Sequence, residues 1–138
     1  MPLHVEVVSP ESILYEGDAE QVVCRPTGGE IAFLPGHQPF VGALETYPVR
    51  VLLPGSGEVV VAVHGGFVEV RDDRVTVLSD VAELPEQIDV VRAQTAKETA
   101  EAAVRTDADD VDAAAALARA ELRLQVAGAA TTAAAHRG

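Results

Sequence analysis

Apolar residues follow two different periods along this chain. From His4 to about Asp80 the period is two: Val5 and Val7 alternate with His4 and Glu6, the spacing of a strand that buries one face. Pro10-Glu11-Ser12 reads as a turn, Ile13-Leu14-Tyr15 as a short second strand closed by Gly17-Asp18, and Gln21 to Arg25 as a third, closed by Pro26-Thr27-Gly28-Gly29. Ile31 to Leu34, Phe40 to Leu44 and Val49 to Leu53 follow. The turn Pro54-Gly55-Ser56-Gly57 then leads into a hairpin partner from Glu58 to Val63. Gly65-Gly66 marks a bulge or a close approach of two backbones. Phe67 to Val70 and Val75 to Leu78 form a last hairpin around Asp72-Asp73. About ten short, valine-rich strands with regular turn signals predict an antiparallel sandwich or barrel.

At Leu84-Pro85 the texture changes. Proline suits a helix start, and Glu86 and Asp89 ahead of Lys97 and Arg105 match the polarity of a helix dipole. Glu86 to Arg105 is therefore expected to be helical. Thr106-Asp107-Ala108-Asp109 reads as a break with N-cap residues, followed by a second helix from Val111 to about Val126. Val111, Ala115, Ala118, Leu122 and Val126 share one face of it. Faces this rich in alanine pack closely but bury little area at about 25 cal/mol per Å2, so an antiparallel hairpin of these helices is marginal and able to detach. Ala127 to Gly138 is of low complexity and is expected to fray. The predicted division of this α+β chain is a β domain over residues 1–84 and a helical hairpin over residues 85–138.

Composition narrows the function classes. The chain is 48% hydrophobic but only 4% aromatic, with no tryptophan, so its core must be Val, Leu, Ile and Ala. A formal net charge of −12 argues against a nucleic-acid binder, which needs a basic face, and against polybasic docking on anionic lipid. Residues 1–85 hold 4 basic and 13 acidic side chains, and residues 86–138 hold 6 and 9; the β part suits a basic partner. The single Cys24, in the apolar run Val22-Val23-Cys24, reads as a buried, inert thiol in a reducing cytosol. No signal peptide is expected, because Glu6 interrupts the N-terminus early. The longest uncharged apolar run, Val59 to Val68, is well short of the roughly 20 residues of a membrane span. Membrane association is expected to go through another protein, with no direct insertion.

The most constrained stretch runs from Gly28 to Pro39. In Leu34-Pro35-Gly36-His37, proline fixes φ at the second turn position and glycine accepts a positive φ at the third. Pro39 sends the chain out extended. The product is a rigid corner with a polar tip, Glu30 on one side and His37 with Gln38 on the other. No nucleophile with an adjacent base and no phosphate cradle is present, so no catalytic residue is assigned. A metal site at His37, His64 and Glu69 is not supported, because strand-borne sites of that kind pair two histidines one residue apart, and this chain has none. In the tail, Asp89 and Arg92 stand i, i+3 and Arg119 and Arg123 stand i, i+4. Converging guanidinium forks bind polyphosphate, and the same spacings also serve helix solubility.

Gly-Glu-x-x-x-Leu-Pro-Gly-His-x-Pro at residues 29–39, after His-x-x-Val-Val-Ser-Pro-Glu from His4, resembles the epsilon subunit of F-type ATP synthases. The match continues through Val63-His64-Gly65-Gly66-Phe67-Val68-Glu69-Val70, Val75-Thr76-Val77-Leu78-Ser79-Asp80 and Ile88-Asp89-Val90-Val91-Arg92-Ala93. The resemblance covers about residues 3 to 126 with the motifs in order. It implies a β-sandwich followed by a two-helix hairpin, in a non-catalytic rotor subunit on the cytoplasmic face of the bacterial membrane. Such a subunit couples proton flow through the membrane ring to ATP synthesis and restrains ATP hydrolysis through its helices. Implied partners are the gamma subunit, met by His37 and Gln38, the c-ring, faced by the Glu30 loop, and the alpha/beta catalytic head when the helices extend.

The family's pattern for regulatory ATP falls on Glu83, Ile88, Asp89, Arg92, Ala93, Arg119 and Arg123; no cofactor is required. Two departures stand out. Thr99 occupies a position where nucleotide-binding members tend to carry another arginine, and Glu45-Thr46-Tyr47-Pro48 replaces a customary Pro-Gly turn. A free-standing nucleotide sensor and a small β-barrel metalloprotein are the competing readings.

Overall fold

The computed structural model describes residues 2–137, with side chains as far as residue 129. It divides into two compact units, Met1–Leu84 and Pro85–Gly138. The first unit contains eight strands: β1 (Leu3–Val8), β2 (Ile13–Ala19), β3 (Gln21–Cys24), β4 (Ile31–Phe33), β5 (Phe40–Leu52), β6 (Glu58–Arg71), β7 (Arg74–Leu78) and β8 (Ala82–Glu83). They pair in the order β2-β1-β7-β6-β5-β3-β4, with β8 beside β6. The long central pair serves both layers of the sandwich. The first half of β5 and the second half of β6 continue to β7, while the second half of β5 continues to β3. All pairings are antiparallel except β1 with β7, which is parallel.

Period-two alternation places one core between the layers. Leu3, Val5 and Val7 from β1 meet Val22, Phe33, Val51, Val61, Val68 and Val77 with no accessible surface. Only Phe33 among these is aromatic. At about 25 cal/mol per Å2, the area buried by such residues is the main stabilising contribution of the unit.

The nine strand segments read from the sequence become eight strands among the described residues, because two presumed breaks do not break and the short β8 is added. Residues 45–48 stay inside β5, where Thr46 pairs with His64 and Pro48 with Ala62. Pro48 lies beyond the β3 pairing, which reaches Arg50, so its missing donor removes no ladder bond on that side. Gly65-Gly66 stays inside β6, and the register is the same on both sides of it. A Cβ on Gly66 would stand 2.1 Å from the carbonyl oxygen of Leu78. Of the two readings of this glycine pair, close backbone approach is the one realised.

The second unit begins with a 3-10 turn at Pro85–Gln87, followed by α1 (Val90–Thr106) and α2 (Val111–Arg137), packed side by side. The first helix starts four residues later than expected, because Asp89 is its N-cap: the carboxylate accepts from the Arg92 amide at 3.0 Å. The cap of α2 is Asp110, just beyond the predicted break, accepting from the Ala113 amide at 3.0 Å. The backbone is helical through the segment expected to fray, while side chains from Ala130 onward lie outside the described residues.

Two of the five positions predicted for the buried face of α2 are buried. Leu122 and Val126 are buried, whereas Val111, Ala115 and Ala118 are exposed and Ala113 and Ala120 are buried in their stead. Ala93 and Ala100 on α1, like Ala113 and Ala120 on α2, are spaced by seven, so small side chains line each seam and let the backbones approach.

Candidate functional site

The polar corner is built as the sequence dictates and then pinned from outside. The His37 amide donates to the Leu34 carbonyl at 3.1 Å, closing the turn, and Gly36 takes φ 85°. The Gly36 amide donates to the Asp73 carboxylate at 2.7 Å. The His37 ring meets Phe33 edge-on at 4.9 Å, and its Nδ1–H donates to the Gln38 carbonyl at 2.7 Å. His37 is half-buried and Gln38 exposed. Glu30 lies at the opposite end of β4, exposed, with Oε2 accepting from the Tyr47 hydroxyl at 2.6 Å. Glu30 and His37 thus flank one short strand, each held by a separate tether.

Sequence reasoning missed a second feature of the β unit. Ile13, Val8, Leu78, Phe67 and Ala43 are successive cross-strand neighbours over β2, β1, β7, β6 and β5. They form an apolar row on the outer face, with Ile13 60%, Phe67 59% and Leu78 53% exposed. A groove of about 350 Å3 opens along it, lined by Val8, Pro10, Gly66, Phe67 and Leu78. The next row is acidic, with Glu16, Glu6 and Glu69 flanking Thr76, and ends at Val41, 71% exposed. The sequence shows apolar residues at these points, but only the strand register shows that they line up.

The nucleotide-pattern residues fall into three settings. Glu83, on β8, accepts from His64 Nε2 at 2.8 Å. Ile88 and Ala93 are buried, Asp89 is committed to capping α1, and Arg92 is exposed beside it. On α2, Arg119 is exposed and Arg123 half-buried. At 1.5 Å per residue, Arg92 lies about 21 Å along α1 from its end at Thr106, and Arg123 about 18 Å beyond the start of α2. The hairpin therefore sets these two arginines at similar heights.

His37, His64 and Glu69 form no metal-competent group among the described residues. His4, Glu6 and Glu16 do bring ligand-type atoms within 4.8 Å of one another; His4 and Glu6 stand two apart on β1, 3.7 Å from His4 Nε2 to Glu6, and Glu16 lies opposite Glu6 on β2. Cys24 is buried, and burial, reinforced by the charge of Glu30, pushes its thiol up to about 12.

A β-sandwich with a pinned polar corner and an exposed apolar row, followed by an alanine-seamed helical pair, defines the two-domain class to which the chain belongs. Residues 2–85 match the model of the β-sandwich domain of the ATP synthase delta/epsilon chain, and residues 86–128 match its long α-helix domain. The chain belongs to the epsilon-chain family of ATP synthases. It is 54% identical over 97 residues to the ATP synthase epsilon chain of Brevibacillus brevis, covering 70% of this chain and 74% of that one. Identity is 45% with that of Streptomyces griseus, covering 89% and 93%, and 48% with that of Halalkalibacterium halodurans, covering 91% and 97%. Among solved structures, a chain of the Euglena gracilis mitochondrial ATP synthase shares the fold with a TM-score of 0.73 at 21% identity, covering 94% of this chain and 81% of that chain. No helix among the described residues is long and apolar enough to cross a membrane.

Proposed function

We propose that the chain is a non-catalytic rotor subunit of a proton-translocating ATP synthase, seated between the gamma subunit and the membrane ring on the cytoplasmic face of a bacterial membrane. The observation that carries this reading is the apolar row from Ile13 to Phe67, left uncovered beside an acidic row. A row of this kind on a soluble face marks a protein interface. The polar corner with His37 and Gln38 serves the gamma contact, and Glu30 serves the basic loops of the ring. A close-packed sandwich suits transmission of torque because such interiors deform little.

The helical pair is the regulator. Folded, it leaves the catalytic head free; extended, it meets the alpha and beta subunits and stops hydrolysis. A gap of a few kcal/mol between the two states suffices for a switch, and a ligand preferring one state tips it. ATP held by Arg92, Arg119 and Arg123, with Asp89 capping the helix that carries Arg92, is the proposed ligand. Removing residues 86–138 should raise ATP hydrolysis by the assembled complex and leave assembly intact; unchanged hydrolysis rules out the brake.

A further inference from the structure

Tyr47, within β5, builds a small network around Glu30. Its hydroxyl donates to Glu30 Oε2 at 2.6 Å, across 17 positions of sequence. The Arg25 guanidinium stands 5.3 Å from the centroid of the Tyr47 ring, and Arg25 Nε is 3.0 Å from Glu45 Oε2. Arg25 and Glu45 offset one another's charge, and tyrosine is a neutral donor. The patch therefore presents one net negative charge, on Glu30.

That charge would otherwise be poorly placed. Gly28 and Gly29, which lead into it, have φ of 108° and 134°, with nothing within 4 Å of where a side chain would begin. The turn itself is closed, the Gly29 amide donating to the Pro26 carbonyl at 3.1 Å, but an exposed glutamate side chain beyond it samples several rotamers and loses that freedom on binding. A hydroxyl-to-carboxylate bond of this length belongs to the strong, charge-assisted class. We infer that Tyr47 is a positioning residue, holding the Glu30 carboxylate preorganised with one oxygen engaged and the other open to an arginine- or lysine-bearing loop of the membrane ring. The inference rests on the reading of Glu30 as a ring contact. The hydrogen bond to Glu30 also raises the Tyr47 phenol above its ordinary value of 10.0, which gives the pair a spectroscopic signature.

The test uses the full chain as Tyr47→Phe, Glu30→Gln and the double variant, bound to the detergent-solubilised gamma–ring assembly of the same synthase at two salt concentrations. Phenylalanine keeps the ring under Arg25 and removes only the hydroxyl. Tyr47→Phe is expected to weaken binding roughly tenfold through lost preorganisation. Glu30→Gln should weaken it and flatten the salt dependence, and Tyr47→Phe should then add nothing, as a double-mutant cycle requires of coupled groups. The ultraviolet difference titration of wild type against Tyr47→Phe should show a phenol above 10.0 that falls back in Glu30→Gln. If Tyr47→Phe weakens binding equally with or without Glu30, or leaves it at wild-type strength while Glu30→Gln is impaired, the positioning role is overturned and the ring contact stands. If Glu30→Gln binds as wild type at both salt concentrations, the ring contact fails and the positioning role falls with it.

Discussion

Asp73 and Gly36, 37 positions apart, are joined by a hydrogen bond of 2.7 Å in which the glycine amide donates to the carboxylate. Asp73 sits at the tip of the β6–β7 hairpin with φ of 59°, beside Asp72 at 51°. Its carbonyl accepts from the His4 amide at 2.8 Å. One residue thus ties the hairpin to the polar corner and to the start of β1. Asp73→Ala should cost about 1–2 kcal/mol, from the lost charge-assisted bond and a left-handed backbone that alanine tolerates poorly. Asp73→Asn, which keeps an acceptor and tolerates that conformation, should cost only a few tenths. Urea denaturation gives both values, and the His37 ring resonances should shift only in the alanine variant.

Gly66 and Gly28 both have positive φ but differ in surroundings. A methyl group on Gly66 would meet the Leu78 carbonyl oxygen at 2.1 Å, while one on Gly28 meets nothing within 4 Å. Gly28→Ala should cost about 1–2 kcal/mol from backbone strain alone. Gly66→Ala must also part β6 from β7 and should cost more than about 4 kcal/mol. Equal melting temperatures for the two variants would contradict the close approach.

Cys24 offers a readout of the core in alkali. Its thiol rises from 9.0 to about 12 in the folded chain, with burial as the main cause. A folded-state value above the unfolded one means that the thiol's contribution to stability is complete below pH 9.0 and disappears as pH climbs toward about 12. At pH 9, iodoacetamide should alkylate the native chain more than about 100-fold more slowly than the urea-unfolded chain, because the buried thiol is both protonated and out of reach. Cys24→Ala should flatten the fall in stability over that alkaline range.

Phe67 is 59% exposed, so its ring contributes little to the fold. Phe67→Ser should change folding stability by less than about 0.5 kcal/mol. Within the proposed interface the same change should weaken association with the gamma–ring assembly by roughly tenfold or more, as loss of an aromatic anchor does. Sedimentation of the mixed subunits measures this directly.

Much of the architecture was legible in the chain because valine alternation is a local signal. Gln21 to Cys24 and Val75 to Leu78 are strands almost to the residue. What escaped was decided by distant partners. Pro48 and Gly65-Gly66 look like breakers in isolation, yet a strand paired along twelve positions carries them through. The α2 face was misjudged because alanines on opposite sides of a helix have equal hydropathy, so only packing against α1 selects Ala113 and Ala120. In the candidate site, the Pro-Gly corner is written in four consecutive residues. The tethers from Asp73 and Tyr47, and the alignment of Phe67 with Leu78, depend on register between strands far apart in sequence.

The parallel pairing of β1 with β7 sets Val5 beside Val75, about 70 positions away. Contacts this far apart in sequence raise the contact order of the sandwich and slow its folding. During synthesis the first residues to leave the ribosome stay without a neighbour on that side until nearly the whole sandwich has followed. The amino-terminal strand can pair early with β2, but its other edge waits for a strand made about 70 residues later.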